Sequence, residues 1–131
     1  MTNPSYARRV SVPLQITPET FTGFSLEPIV DELLASSELA REGKTARTLI
    51  KSKPLTVVLT ALRAGAMLHE HAAPGSVLVV PLRGEVTFEH AAESSRVATD
   101  GGAVTLMGPG VRHTVRAHSD SAFLLLVGGR E

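Results

Sequence analysis

The chain has no cysteine and no tryptophan in 131 residues, and only one tyrosine and four phenylalanines. Without cysteine there are no disulfides, no thiolate metal sites and no cysteine nucleophile. The scarcity of aromatics argues against a stacking surface for bases or sugars. Neither sign of charge prevails. Thirteen Lys and Arg balance thirteen Asp and Glu, and no long run of either sign forms. A chain that binds nucleic acid or an anionic membrane is expected to show a basic footprint, so neither partner is expected. Nor is there an apolar run of membrane-spanning length, and Arg8 and Arg9 are not followed by the apolar core of a signal peptide. These absences predict a cytoplasmic protein whose partner is a small molecule.

What the chain does have is enough residues for one domain with its own core. Residues Met1 to Gly23 mix Thr, Pro and polar residues around a short alternating stretch, Val10 to Leu14. That stretch predicts an arm-like edge strand, since Pro13 cannot donate to a central ladder. From Pro28 to Glu42 the residues Ile29, Val30, Leu33, Leu34 and Ala40 recur at helical spacing, acidic groups cluster near the start, and Gly43 supplies a stop. This predicts one amphipathic helix. The expected division is an N-terminal arm and helix over 1–43 and an all-β barrel over 44–131.

After Gly43 the pattern becomes short alternating or continuous apolar runs separated by Gly, Pro, Asp and Ser. Nine strands are predicted: Ala46 to Lys51, Leu55 to Leu62, Met67 to His71, Ser76 to Leu82, Glu85 to Glu89, Arg96 to Thr99, Ala103 to Met107, Arg112 to Ala117 and Ala122 to Val127. Arg83-Gly84 and Asp100-Gly101-Gly102 read as tight hairpin turns.

The histidines carry the chemistry. His69 and His71 are two apart, a spacing that puts both on one face of a regular strand. His113 follows about forty residues later. If it lies on a facing strand, three imidazoles converge on a divalent transition metal with coordination positions left open. His90 and His118 fall in or beside loops and read as solvated groups.

The stretch from Gly65 through His69-Glu70-His71 to Gly84 resembles the first cupin motif, with its glycine, its HxH pair and its closing glycine. Gly102 through Gly108-Pro109-Gly110 to His113 resembles the second. The resemblance implies an all-β cupin double-stranded β-helix, a jelly-roll barrel, with the predicted helix N-terminal to it. Carried over residue by residue, it makes His69, His71 and His113 metal ligands. Two departures stand out. Val77 occupies the position where the family has a glutamate ligand, and Gly108 replaces the proline of the second motif. Glu70 does not replace the lost carboxylate, because it alternates with inward histidines and should point outward.

Three neutral imidazoles suit Fe, Zn, Ni, Mn or Cu and leave an ion's double charge to be met by an anionic ligand. The pocket is expected to be apolar, lined by Met67, Val77, Val79, Met107, Val111 and Val115. The functions that follow are a dioxygenase-type enzyme acting on a small anionic substrate, or a non-catalytic module that binds or senses a small ligand with or without metal. A third reading, a filled and purely structural barrel, requires Val77, Val79 and Met107 to close the pocket. Small cupins pair through their N-terminal strands, so the resemblance implies a homodimer in which Val10 to Leu14 takes part.

Overall fold

A computed structural model describes residues 13–129. Two helices are followed by nine strands: α1 (Glu27–Leu34), α2 (Ser37–Glu42), β1 (Lys44–Lys51), β2 (Leu55–Leu62), β3 (Met67–Ala72), β4 (Ser76–Arg83), β5 (Glu85–His90), β6 (Glu93–Ala98), β7 (Thr105–Met107), β8 (Arg112–Ala117) and β9 (Ser121–Gly128). The strands form two antiparallel sheets, one in the order β1-β2-β9-β4-β7 and the other in the order β3-β8-β5-β6. The strand pattern predicts an all-β sandwich or barrel, and the jelly roll seen here is the form the family resemblance implies.

The expected single helix over Pro28 to Glu42 is two. Ser36 divides them by serving both ends: its hydroxyl donates to the Leu33 carbonyl at 2.8 Å and accepts from the Leu39 N–H at 3.1 Å. Its backbone is extended, with ψ of 150°, so the helical path cannot run through it. Ile29, Val30, Leu33 and Leu39 then pack with Leu49, Val57, Leu59, Ala61 and Ala122 on the outer face of the five-stranded sheet. Arg83 at the end of β4 fixes α1 further by donating to Glu27 and Asp31 at 2.6 and 3.0 Å.

A second core fills the space between the sheets, where Phe88, Phe123, Val77, Val79, Val86, Val97, Val115 and Val127 meet. Phe88 and Phe123 contact edge to face with centroids 5.6 Å apart. With cores on both sides, β2 is buried along its whole second half, Thr60 included, whereas β8 alternates and buries His113, Val115 and Ala117. Each fully buried aliphatic side chain here contributes roughly 1.5–3 kcal/mol.

Neither glycine turn is a hairpin. Gly84 joins β4 to β5 and Gly101 lies between β6 and β7, and in both cases the two strands belong to different sheets. The chain turns a corner there instead of folding back on itself. A hairpin of the four-stranded sheet forms at Ala91-Ala92, where His90 pairs with Glu93 and Ala91 takes φ of 53°.

Of the arm predicted over Val10 to Leu14, the first three residues lie outside the described residues. Leu14 makes a parallel bridge to Ile50 of β1, accepting from the Lys51 N–H and donating to the Leu49 carbonyl, both at 2.9 Å. No helix among the described residues is long and apolar enough to cross a membrane.

Candidate functional site

The four-stranded sheet carries the histidines. β3 pairs with β8 in a register that aligns Leu68 with Val115 and His71 with His113. Three steps on β3 thus match two on β8, and the surplus residue makes a β-bulge that sets His69 and Glu70 together opposite Thr114. The consequence is decisive for the HxH pair. His71 lands on the inner face beside His113, with ring centroids 4.2 Å apart. His69 lies instead along an outer groove with Met67, Gly43 and Arg63. Glu70 points outward as expected and pairs with Arg112 at 3.2 Å. Of the three predicted ligands, the fold gathers two.

His113 is the best-buried polar group of the site, only 5% exposed. Its ring stacks on Phe88 at 5.8 Å, and its Nδ1 donates to the Val111 carbonyl at 3.1 Å. Burial is the main cause that holds its pKa below the ordinary 6.5; the Val111 bond opposes the shift, and the neighbouring His71 and His90 add to it. The ring is therefore neutral at neutral pH. His71 is fixed in the same way, its Nδ1 donating to the His69 carbonyl at 2.8 Å. In the neutral His113 ring Nε2 is left as a lone-pair acceptor.

Sequence reasoning missed His90. It ends β5 one residue beyond Glu89, the partner of Thr114, and so comes beside the stretch of β8 that carries His113. Its Nδ1 donates to the Arg112 carbonyl at 2.7 Å. His90 pairs in turn with Glu93 of β6. His71, His113, His90 and Glu93 therefore form one row across the four strands. The available signal was the antiparallel pairing of β5 with β8, which lies beyond strand-by-strand reading.

Above this row opens a cavity of about 570 Å³. Phe88, Met107, Val111, Val104 and Leu106 supply its apolar surface, and His113, His90, Glu89, Glu93, Ser95 and Thr105 its polar one. Of the predicted pocket residues, Met107 and Val111 line it. Val77, Val79 and Val115 are 2% exposed or less and belong to the packed interior, and Met67 is 41% exposed on the outer side.

These donors can be weighed against the metal implied by the fold. His71 and His113 offer two nitrogens, Val77 offers nothing at the carboxylate position, and His69 faces away. Among the described residues, no group of three or more His, Cys, Asp or Glu side chains is gathered so that it could hold a metal ion. A catalytic metal normally takes three protein ligands. As arranged, the residues do not fit a resident three-histidine metal.

No family model matches the chain, and no curated protein matches it. Solved structures do. A conserved protein of unknown function from Streptococcus pyogenes is 28% identical, with a TM-score of 0.58 over 67% of this chain and 75% of that one. An RmlC-like cupin from Desulfovibrio desulfuricans is 23% identical, with a TM-score of 0.62 over 74% and 92%. A variant of salicylate 1,2-dioxygenase from Pseudoaminobacter salicylatoxidans is 15% identical, with a TM-score of 0.66 over 76% of this chain and 33% of the enzyme. The fold is that of a small cupin domain.

Proposed function

We propose that this cupin-fold chain binds a small organic ligand in the cavity over His113 and acts as a binding or sensing domain. One observation carries the reading: the barrel interior is packed by Val77 and Val79, yet its mouth keeps a cavity of about 570 Å³ with an apolar surface and a few converging polar groups. That combination is the usual form of a small-molecule site. Met107, 7% exposed, packs with Val77 and Val79 in the core as the structural reading requires, and the open space lies at the mouth that Met107 borders.

The test is a fragment screen by ligand-detected NMR on the full chain and on Gly108→Phe. Gly108 borders the cavity, and a Cβ there meets nothing within 4 Å, so a side chain added at this position starts into open space; an unchanged melting temperature checks that the fold is kept. Binders lost in the variant support the proposal. No binder at millimolar concentration, or binders indifferent to the substitution, would overturn it.

A second reading is favoured by the bonds that orient His71 and His113. Both rings donate from Nδ1 to a backbone carbonyl, which leaves Nε2 free, as in metal-ligating histidines. In that reading His69 turns inward to complete the set for Fe, Zn, Ni, Mn or Cu, and the chain acts as a dioxygenase-type enzyme on a small anionic substrate. Elemental analysis separates the two readings. Less than about a tenth of an equivalent of any transition metal, unchanged after reconstitution, excludes the second. Either reading is compatible with a homodimer, for which light scattering is expected to give twice the chain mass of 13.9 kDa.

A further inference from the structure

The structure assigns a partner to the free edge of β7: a second copy of this chain, whose own β7 adds antiparallel to it about a two-fold axis at Leu106. The pairing is independent of what the cavity binds, and it uses a different edge from the N-terminal arm.

A strand edge left open in a protein that stays alone is usually protected by charged side chains, and three edges of this fold are protected so. β1 carries Lys44, Arg47 and Lys51, and its outer side is bridged by Leu14 of the same chain. β3 carries Glu70, and β6 carries Glu93 and Arg96. β7 is the fourth edge, bonded among the described residues to β4 alone. From Gly101 to Val111 the sequence has no charged residue. In this β7 resembles β2 and β9, which are also uncharged but have a strand on either side. It is composed as an inner strand and placed as an outer one.

The side chains of β7 point to the same vacancy. Met107 packs inward with Val77, so by alternation Leu106 stands on the outer face of the sheet. Leu106 is 76% exposed and Val104 is 55% exposed. The register carries this outer face along one row, with Leu106 opposite Leu78 and Leu78 opposite Leu126, which packs against the core beneath the helices. The row begins in a core and ends in water.

An antiparallel copy completes it residue by residue. With Leu106 opposite the partner's Leu106, Val104 falls opposite the partner's Gly108, where a Cβ would meet nothing within 4 Å, so the exposed isopropyl group has room. The leucine row then runs unbroken through the axis, held by apolar cross-strand pairs. On the inner side Thr105 faces the partner's Met107, which brings a second methionine to the mouth of the cavity that Thr105 and Met107 line. Charge does not oppose the approach, because the formal net charge is zero at pH 7 and two copies meet without long-range repulsion. The contact is isologous and closes after two chains.

Sedimentation equilibrium on the full chain should give twice the mass of 13.9 kDa. Leu106→Lys sets two like charges against each other on the axis, and should raise the dimer dissociation constant at least tenfold while the circular-dichroism spectrum stays native. The absence of cysteine allows a geometric readout as well. Leu106→Cys places the two thiols across the axis, where facing Cα atoms lie about 4.5–5.5 Å apart, within disulfide reach. Oxidation should cross-link most of that variant. Val104→Cys holds its two thiols roughly 14 Å apart along the strands and should cross-link at least fivefold less. A chain that is monomeric even at millimolar concentration would overturn the assignment and leave the edge to a different protein. So would a dimer that is indifferent to Leu106→Lys but dissociated by Val12→Asp, since its contact would lie in the N-terminal arm. Equal cross-linking of the two cysteine variants would overturn the register centred on Leu106.

Discussion

Replacing Gly84 by alanine tests how the chain crosses from one sheet to the other. Gly84 has φ of +71°, and a Cβ there would lie 2.4 Å from the Asp120 carbonyl oxygen, 2.6 Å from Ser121 Oγ and 2.8 Å from Ser119 Oγ. The first is backbone and cannot swing aside. The two hydroxyls each accept from the Glu85 N–H at 3.0 Å, and Ser121 also donates to the Glu85 carbonyl at 3.1 Å. Forcing an L-residue into the left-handed region costs about 1–2 kcal/mol. Dislodging the serines leaves the Glu85 N–H without a partner, for another 1–3 kcal/mol or so. The expected loss is therefore about 2–5 kcal/mol, or roughly 8–20 °C in Tm for a chain of this size. Gly65→Ala is the matched control: φ is +86°, but no atom lies within 4 Å of its Cβ, so only the conformational cost applies. Urea denaturation of both variants supplies the comparison. Equal destabilisation within about 0.5 kcal/mol would refute the claim that the corner is sterically closed.

Four further outcomes are expected. Because the pKa of His113 is held below 6.5 in the fold, the unfolded chain takes up its proton first as pH falls. Stability from this group is thus full above about pH 6.5 and declines from there down to the folded-state pKa, and His113→Asn should flatten urea midpoints measured between pH 7.5 and 5. Ser36→Ala, which removes the cap between α1 and α2, should cost about 1 kcal/mol by the same assay. His69→Ala should leave ligand affinity within about twofold by NMR titration, because that side chain faces the outer groove. Phe88→Ala should cost about 3–5 kcal/mol of stability through loss of its contacts with Phe123 and His113, and a smaller effect would mean the site is looser than described.

The strands were legible because a sheet residue is buried with a period of two, as in β8, or in a continuous run of strand length where both faces are covered, as in β2. Leu55 to Leu62 and Arg112 to Ala117 occupy the predicted bounds. Other features escaped because their local signals are ambiguous. Ser36 occurs inside an apolar helical pattern and breaks it only by bonding in both directions. A glycine after an arginine marks a turn equally well whether the chain doubles back or changes sheets, so Gly84 read as a hairpin. The HxH pair misled for a third reason. Alternation holds in a regular ladder, and the irregularity between Leu68 and His71 is fixed by pairing with β8, more than forty residues away. His90 was passed over because its neighbours in sequence, Ala91 and Ala92, describe a loop. Its neighbours in space describe a site.

Among the described residues, β3 is the outer strand of its sheet and bonds to β8 alone. Its surplus residue is therefore held from one side only. Moving the bulge two positions toward the N-terminus would set His69 opposite Val115 and turn it inward, exchanging it for Leu68 without changing a single amino acid. The stoichiometry of imidazoles inside this barrel is then a matter of strand registration, and two chains with identical histidine motifs can present different numbers of nitrogens. A census of motif residues counts what a barrel owns, whereas the place of one inserted residue on an edge strand determines what it displays.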